Sequence, residues 1–246
     1  MAEIDRPSVA ARPGTAAVID QGLRSYMLKV YNYMTVGLVV TGAVAYGAFA
    51  AAFDATGNLS AFGEAIYLSP LKWIVMLAPL AFVLVLSFGI TKLSAATAQI
   101  LFWAFAAVMG LSLSSIFAVY TGGSIARVFF ITAGTFGAMS LYGYTTKRDL
   151  TQIGSFLLMG LIGIVIASVV NIFLASSALS FGISIVGVLV FVGLTAWDTQ
   201  KIKESYNESY GTDILAKNAV MGALSLYLDF INLFMMLLRL FGNQRN

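Results

Sequence analysis

The stretch KNAVMGALSLYLDFINLFMMLLR (residues 217–239) decides how many times this chain crosses a membrane. Between Lys217 and Arg239 it carries one formal charge, Asp229, near its centre. Crossing about 30 Å of hydrocarbon takes about 20 apolar residues, and this segment has that length. An ionised Asp at mid-bilayer costs about 2.5–3.5 kcal/mol even on permissive scales, so Asp229 must face protein, face water or hold a proton. Gly222, Ser225, Asp229 and Asn232 recur at i, i+3, i+7 and i+10 and share one helical face, which Met236 continues. The other faces are Leu, Phe, Met and Ile. A helix that is apolar almost all round with one polar stripe belongs in the middle of a bundle, the stripe lining a cavity. From its residues alone the segment either crosses fully or re-enters.

Outward from it, the rest of the chain reads the same way. Of 246 residues 59% are hydrophobic and only 10% charged, with mean hydropathy +0.89. Soluble domains need about 25% charged residues, so this is a polytopic membrane protein. Charge-free stretches place helices near 31–53, 73–91, 100–120 and 127–145. The 48 uncharged residues between Asp149 and Asp198 would make about 72 Å of helix, which suits two spans broken at Ala175-Ser176-Ser177-Ala178. The expected fold is all-α with seven transmembrane helices, a domain over 30–243 preceded by a disordered to amphipathic tail over 1–29. Gln21 to Lys29 forms the approach, and no apolar run follows a basic start as a cleaved signal would require.

Lys and Arg give the orientation. With a cytoplasmic N-terminus, ten of the 14 basic residues lie inside, and Lys72, Arg127, Arg239 and Arg245 lie outside. A re-entrant last helix would return Arg239 and Arg245 to the inside and sharpen the bias. The net charge of +3 therefore reports topology and does not point to nucleic acid.

With neither Cys nor His, the chain has no thiolate or imidazole chemistry, no Ser–His–Asp relay and no disulfide. No phosphate loop or dinucleotide fingerprint is present, and no Lys in the spans could activate Ser112, Ser114 or Ser115. The expectation is a protein that is not an enzyme and has no cofactor. Small-residue pairs at Ala43/Gly47, Gly110/Ser114 and Gly163/Ala167 read as helix-packing sites. Pro79 marks a kink, Asn171 a helix–helix hydrogen bond, and Trp73, Trp103 and Trp197 interface anchors. Asp198 closes the sixth span in TAWDTQKIK (195–203) and is either a solvated helix end or the partner of Asp229. If the two carboxyl groups meet, they share one proton near neutral pH and titrate as a unit, a pH sensor that needs no histidine.

The runs YLDFINLF (227–234) and LLRLFGN (237–243), with DTQKIK (198–203), FGAMSLYGYTTKRDL (136–150), LSLSSIFAVYT (111–121) and SYMLKVYNYMTVGL (25–38), closely resemble the Bax inhibitor-1 family in its bacterial inner-membrane branch. The resemblance covers nearly everything after the N-terminal tail. It implies seven helices, with two three-helix layers enclosing the last one. It also implies a pH-sensitive calcium leak gated by two aspartates, which fall at Asp198 and Asp229 here. The two would hold calcium weakly and transiently, with Ser225 and Asn232 along the pore. A helix-two arginine that latches the helix-six aspartate in bacterial members is matched by Lys92, a candidate latch that lacks the planar fork of arginine. An acidic residue of helix two is replaced near Ala81. Expected partners are membrane lipid, calcium and protons. The alternative is a non-conducting interaction protein that modulates a membrane protease or another stress-response partner.

Overall fold

The computed structural model describes residues 13–54 and 56–245, with side chains from Gln21 onward. Seven long helices carry the fold: α1 (Pro13–Ala52), α2 (Leu71–Gly89), α3 (Ala95–Leu113), α4 (Gly122–Thr145), α5 (Thr151–Leu174), α6 (Ser177–Glu204) and α7 (Thr212–Phe241). Each contains a span long and apolar enough to cross a membrane. A one-turn helix and a π turn (Glu64–Leu68) lead into α2, and a short turn of helix (Ile116–Val119) extends α3. The break expected in the long uncharged stretch falls at Ala175, which takes a left-handed φ of 48°. Asn171 secures that turn, its amide donating to Ser180 and its carbonyl oxygen accepting from the Ser176 N–H, 3.1 Å. Helix α1 starts at Pro13 and runs unbroken into its span, so residues 13–29 are helical where a tail and approach were expected. Residues 1–12 of that tail lie outside the described residues.

Helix α7 is enclosed. In its most apolar window 72% of residues are buried, against 11% in α2 and 6% in α5, whose leucines, valines and phenylalanines face outward. It packs on α1, α3, α4 and α6; α1 and α2 flank α3, while α4 and α5 flank α6. Buried Tyr227 fixes α7 against its neighbours. Its hydroxyl donates to Thr41 on α1 at 2.5 Å, Thr41 donates on to the Ala106 carbonyl of α3, and Phe102 and Phe105 meet the ring edge-on. The end of α7 decides between crossing and re-entry. Asn243 and Arg245 pair with Thr121 and Val119, at the end of the bundle opposite the 146–150 turn. The last helix crosses the whole bundle.

Of the three small-residue pairs, Gly110/Ser114 lies at an interface. A Cβ on Gly110 would come within 2.5 Å of the Thr41 carbonyl oxygen, whereas Gly47 and Gly163 have open space around them. Pro79 is buried within an uninterrupted α2. The turn between α4 and α5 is held by Asp149, whose carboxylate accepts from the Thr151 hydroxyl and from the Thr151 N–H, the latter at 2.8 Å; these hydrogen bonds keep its carboxyl below the usual carboxylate range.

Candidate functional site

The site lies along the antiparallel seam of α6 and α7. Gly222, Asp229 and Met236 recur every seven residues, the spacing that keeps one stripe of a helix on a single neighbour. The stripe is turned toward α6. Gly222 abuts Ile202, and Met236 lies so close to Gly187 that a Cβ there would meet its sulfur at 2.9 Å. Between these two contacts the Asp229 carboxyl stands beside that of Asp198, in direct hydrogen-bonding relation when one of them carries a proton. Asp229 is 5% exposed, and its Oδ2 is buried with no donor among the described residues. Asp198 is half-buried. It is reached from the 205–211 end through a cleft of about 260 Å³ lined by Lys201, Ser205, Asn218 and Ser225. At the opposite end a cleft of about 760 Å³, lined by Asn171, Ser180, Ser184 and Arg239, stops at Met236. The two carboxyl groups and the Met236–Gly187 contact therefore separate two polar clefts.

The structure brings some of the expected residues together and leaves others apart. Ser225 lines the cleft that reaches Asp198. Asn232 is half-buried, and its amide donates to the Leu228 carbonyl of its own helix at 2.8 Å. Lys92 sits exposed in the turn after α2 and is not the cation that faces Asp198. That cation is Lys201, one helical turn further on, which also lies 5.0 Å over the Trp197 ring. Among the described residues the one ion pair is Lys217–Asp213 at 2.8 Å, and no three acidic groups meet. Two carboxylates fall well short of the six to eight oxygens of a tight calcium site.

Sequence reasoning missed the shell that holds Asp198. Thr199, the next residue, hydrogen-bonds Ser140 of α4 at 2.9 Å, and Ser140 in turn contacts the Tyr31 hydroxyl of α1. Buried Gln200 accepts the Leu150 N–H and donates to the Arg148 carbonyl, clamping the α4–α5 turn, and Lys203 donates to the Tyr144 carbonyl. A buried segment's polar groups have to find partners, which makes DTQKIK a docking face as well as a helix end.

Known proteins resemble this chain along nearly its whole length. A family model described as inhibitor of apoptosis-promoting Bax1 matches residues 23–246. The inner membrane protein YbhL of Escherichia coli K12 is 52% identical over 227 residues, covering 91% of this chain and 94% of that protein. An uncharacterized protein of Rickettsia prowazekii is 50% identical over 227 residues, 92% and 93% of the two chains. An uncharacterized membrane protein of Streptococcus pyogenes is 35% identical over 223 residues, 91% and 94%. Matched from the first span to its last residue and half identical to relatives of its own length, the seven-helix chain belongs to the Bax inhibitor-1 family, in its bacterial branch.

Proposed function

We propose that this protein is a pH-sensitive cation leak of a bacterial inner membrane, with calcium as the permeant ion and the Asp198–Asp229 pair as its gate. The observation that carries the reading is the buried Oδ2 of Asp229, left without a donor beside a second carboxyl group. An unpaired buried acceptor costs about 1–3 kcal/mol, which a bundle selected only for stability would shed by replacing the residue. With one proton between them the carboxyl groups attract and hold the seam closed. Loss of that proton puts two like charges side by side, repelling by about 4 kcal/mol at 4 Å and an effective dielectric of about 20. The repulsion parts α6 from α7 or draws in a divalent cation. A site with two carboxylates and a few neutral oxygens binds weakly enough to release what enters.

Calcium flux into liposomes holding the purified protein tests this. Influx that rises with pH is expected. The absence of protein-dependent flux at any pH would favour the interaction-protein reading, with the carboxyl pair only setting the conformation of the bundle for a partner such as a membrane protease. Lys201→Ala removes the cation that favours the ionised pair, so the flux profile should move to higher pH, by less than about one unit because Lys201 is exposed. Lys92→Ala removes an exposed cation that is not among the charges acting on the pair, and should leave the profile in place.

The seven spans and the description of YbhL as an inner membrane protein support that location. The excess of Lys and Arg at the 146–150 and 205–211 end supports a cytoplasmic N-terminus. Lys147 and Lys201 are exposed at this end, so cysteines placed there should be blocked only by membrane-permeant thiol reagents. Labelling of intact cells by an impermeant reagent at either position would reverse the orientation.

A further inference from the structure

We propose that the groove between α1 and α4 binds an anionic phospholipid, drawn from the leaflet that meets the 146–150 turn. These two helices hardly pack on each other and meet through the Tyr31–Ser140 hydroxyl contact. Between them lies a cleft of about 740 Å³, open to the side and floored by Phe230 of α7. Its walls are almost wholly apolar, with Met34 and Leu38 on one side and Phe129 and Phe136 on the other. Among the described residues, Arg24 at the mouth is the one charged residue of the lining, and no described acidic residue joins it. A second positive charge stands beside that mouth, because Lys203 lies 5.5 Å over the ring of Tyr144, which also lines the cleft.

Cationic mouth and apolar trough match an amphiphile with an anionic head. From Arg24 to Leu38 the groove follows fourteen residues of helix, about 21 Å, so it can take an acyl chain through its own leaflet of about 15 Å. The volume lies within the range of ligand pockets, about 300–1,000 Å³. Basic pockets between helices at the cytoplasmic side are a recurrent way of holding anionic headgroups. The occupant would sit close to both carboxyl groups: Ser140 in the wall bonds Thr199, the neighbour of Asp198, and Phe230 in the floor follows Asp229. The binding itself does not depend on conduction.

Native mass spectrometry of the full chain, released from detergent micelles doped with phosphatidylglycerol or phosphatidylcholine, tests the site. Phosphatidylglycerol should be retained in preference to phosphatidylcholine, and Arg24→Ala should cut its retention about fivefold. Lys29→Ala removes a cation from the same end of α1 but another face, 5.7 Å from the Tyr33 ring, and should change nothing. Gly137→Trp fills the trough from a position with open space around its Cβ and should abolish retention of both lipids. If melting shows that variant unfolded, the smaller Gly137→Leu is read in its place. Equal retention of the two lipids by the wild type overturns the proposal. So does an equal loss with Lys29→Ala, a filled groove that still retains lipid, or a dimer free of lipid, which would make the groove a contact between copies.

Discussion

If the proposed gate is right, Asp229→Asn should leave the protein folded and flatten the pH dependence of calcium influx, and Asp198→Asn should do the same from the opposite side of the seam. Asn keeps the shape of Asp229 but contributes an N–H that can donate to Asp198, giving the orphaned Oδ2 position the partner it lacks. A hydrogen bond to a charged group is worth about 1.5–3 kcal/mol net, so at a pH where the wild-type pair has lost its shared proton the variant should also melt at a higher temperature than the wild type in detergent. Its melting temperature should no longer follow pH through the neutral range, because the proton shared by the pair is gone. Flux measured across that range, with melting on the same preparations, separates the outcomes. A pH profile that survives both substitutions leaves a leak but rejects the pair as its sensor. A variant that fails to fold makes Asp229 a structural residue. The double variant, with no carboxylate left on the seam, should conduct least of all.

The spans were legible because the bilayer imposes one length on every crossing and excludes charge from it. That constraint placed the break at Ala175 within the four residues expected and picked out the buried stripe of α7. The start of α1 was not legible, since hydropathy marks where a helix enters lipid and not where the helix begins. Asp198 could be weighed only as one of two possibilities. The contact that pairs it with Asp229 depends on the rotation of α6, and α6 is apolar on nearly every side. Thr199 and Gln200 gave no signal of their own, because a hydroxyl or amide near a span end looks the same whether it meets water or a neighbouring helix. Lys92 was placed by resemblance in a chain whose actual counter-charge, Lys201, stands three residues from Asp198. Glycines were the least readable residues, since close packing and empty surroundings leave the same letter in the sequence.

Gly143 turns that ambiguity into a test. A Cβ at this position would lie 2.1 Å from the Ala196 carbonyl oxygen and 2.8 Å from its carbon, so the obstacle is the backbone of α6 and no side chain can rotate away. Without a hydrophobic drive between helices in lipid, such close backbone approach is what holds α4 to α6. Gly143→Ala must therefore push the two helices apart, at a cost of about 3 kcal/mol, the upper end for overpacking by a single methyl group. Gly134 and Gly137 stand on the same helix with nothing within 4 Å of their Cβ positions. Alanine there should be neutral or stabilising by up to about 1 kcal/mol, because it lowers the entropy lost on forming helix. Thermal unfolding of the three alanine variants in one detergent should separate Gly143 from the other two. The consequence reaches the site, since Ser140, one turn away, holds Thr199 at 2.9 Å beside Asp198. Gly143→Ala should loosen that bond along with the helix contact, and on the proposed gating it should raise the flux at a pH where the wild type is expected to be closed. Three equal melting temperatures would mean that α4 and α6 do not approach as closely as 2.1 Å requires.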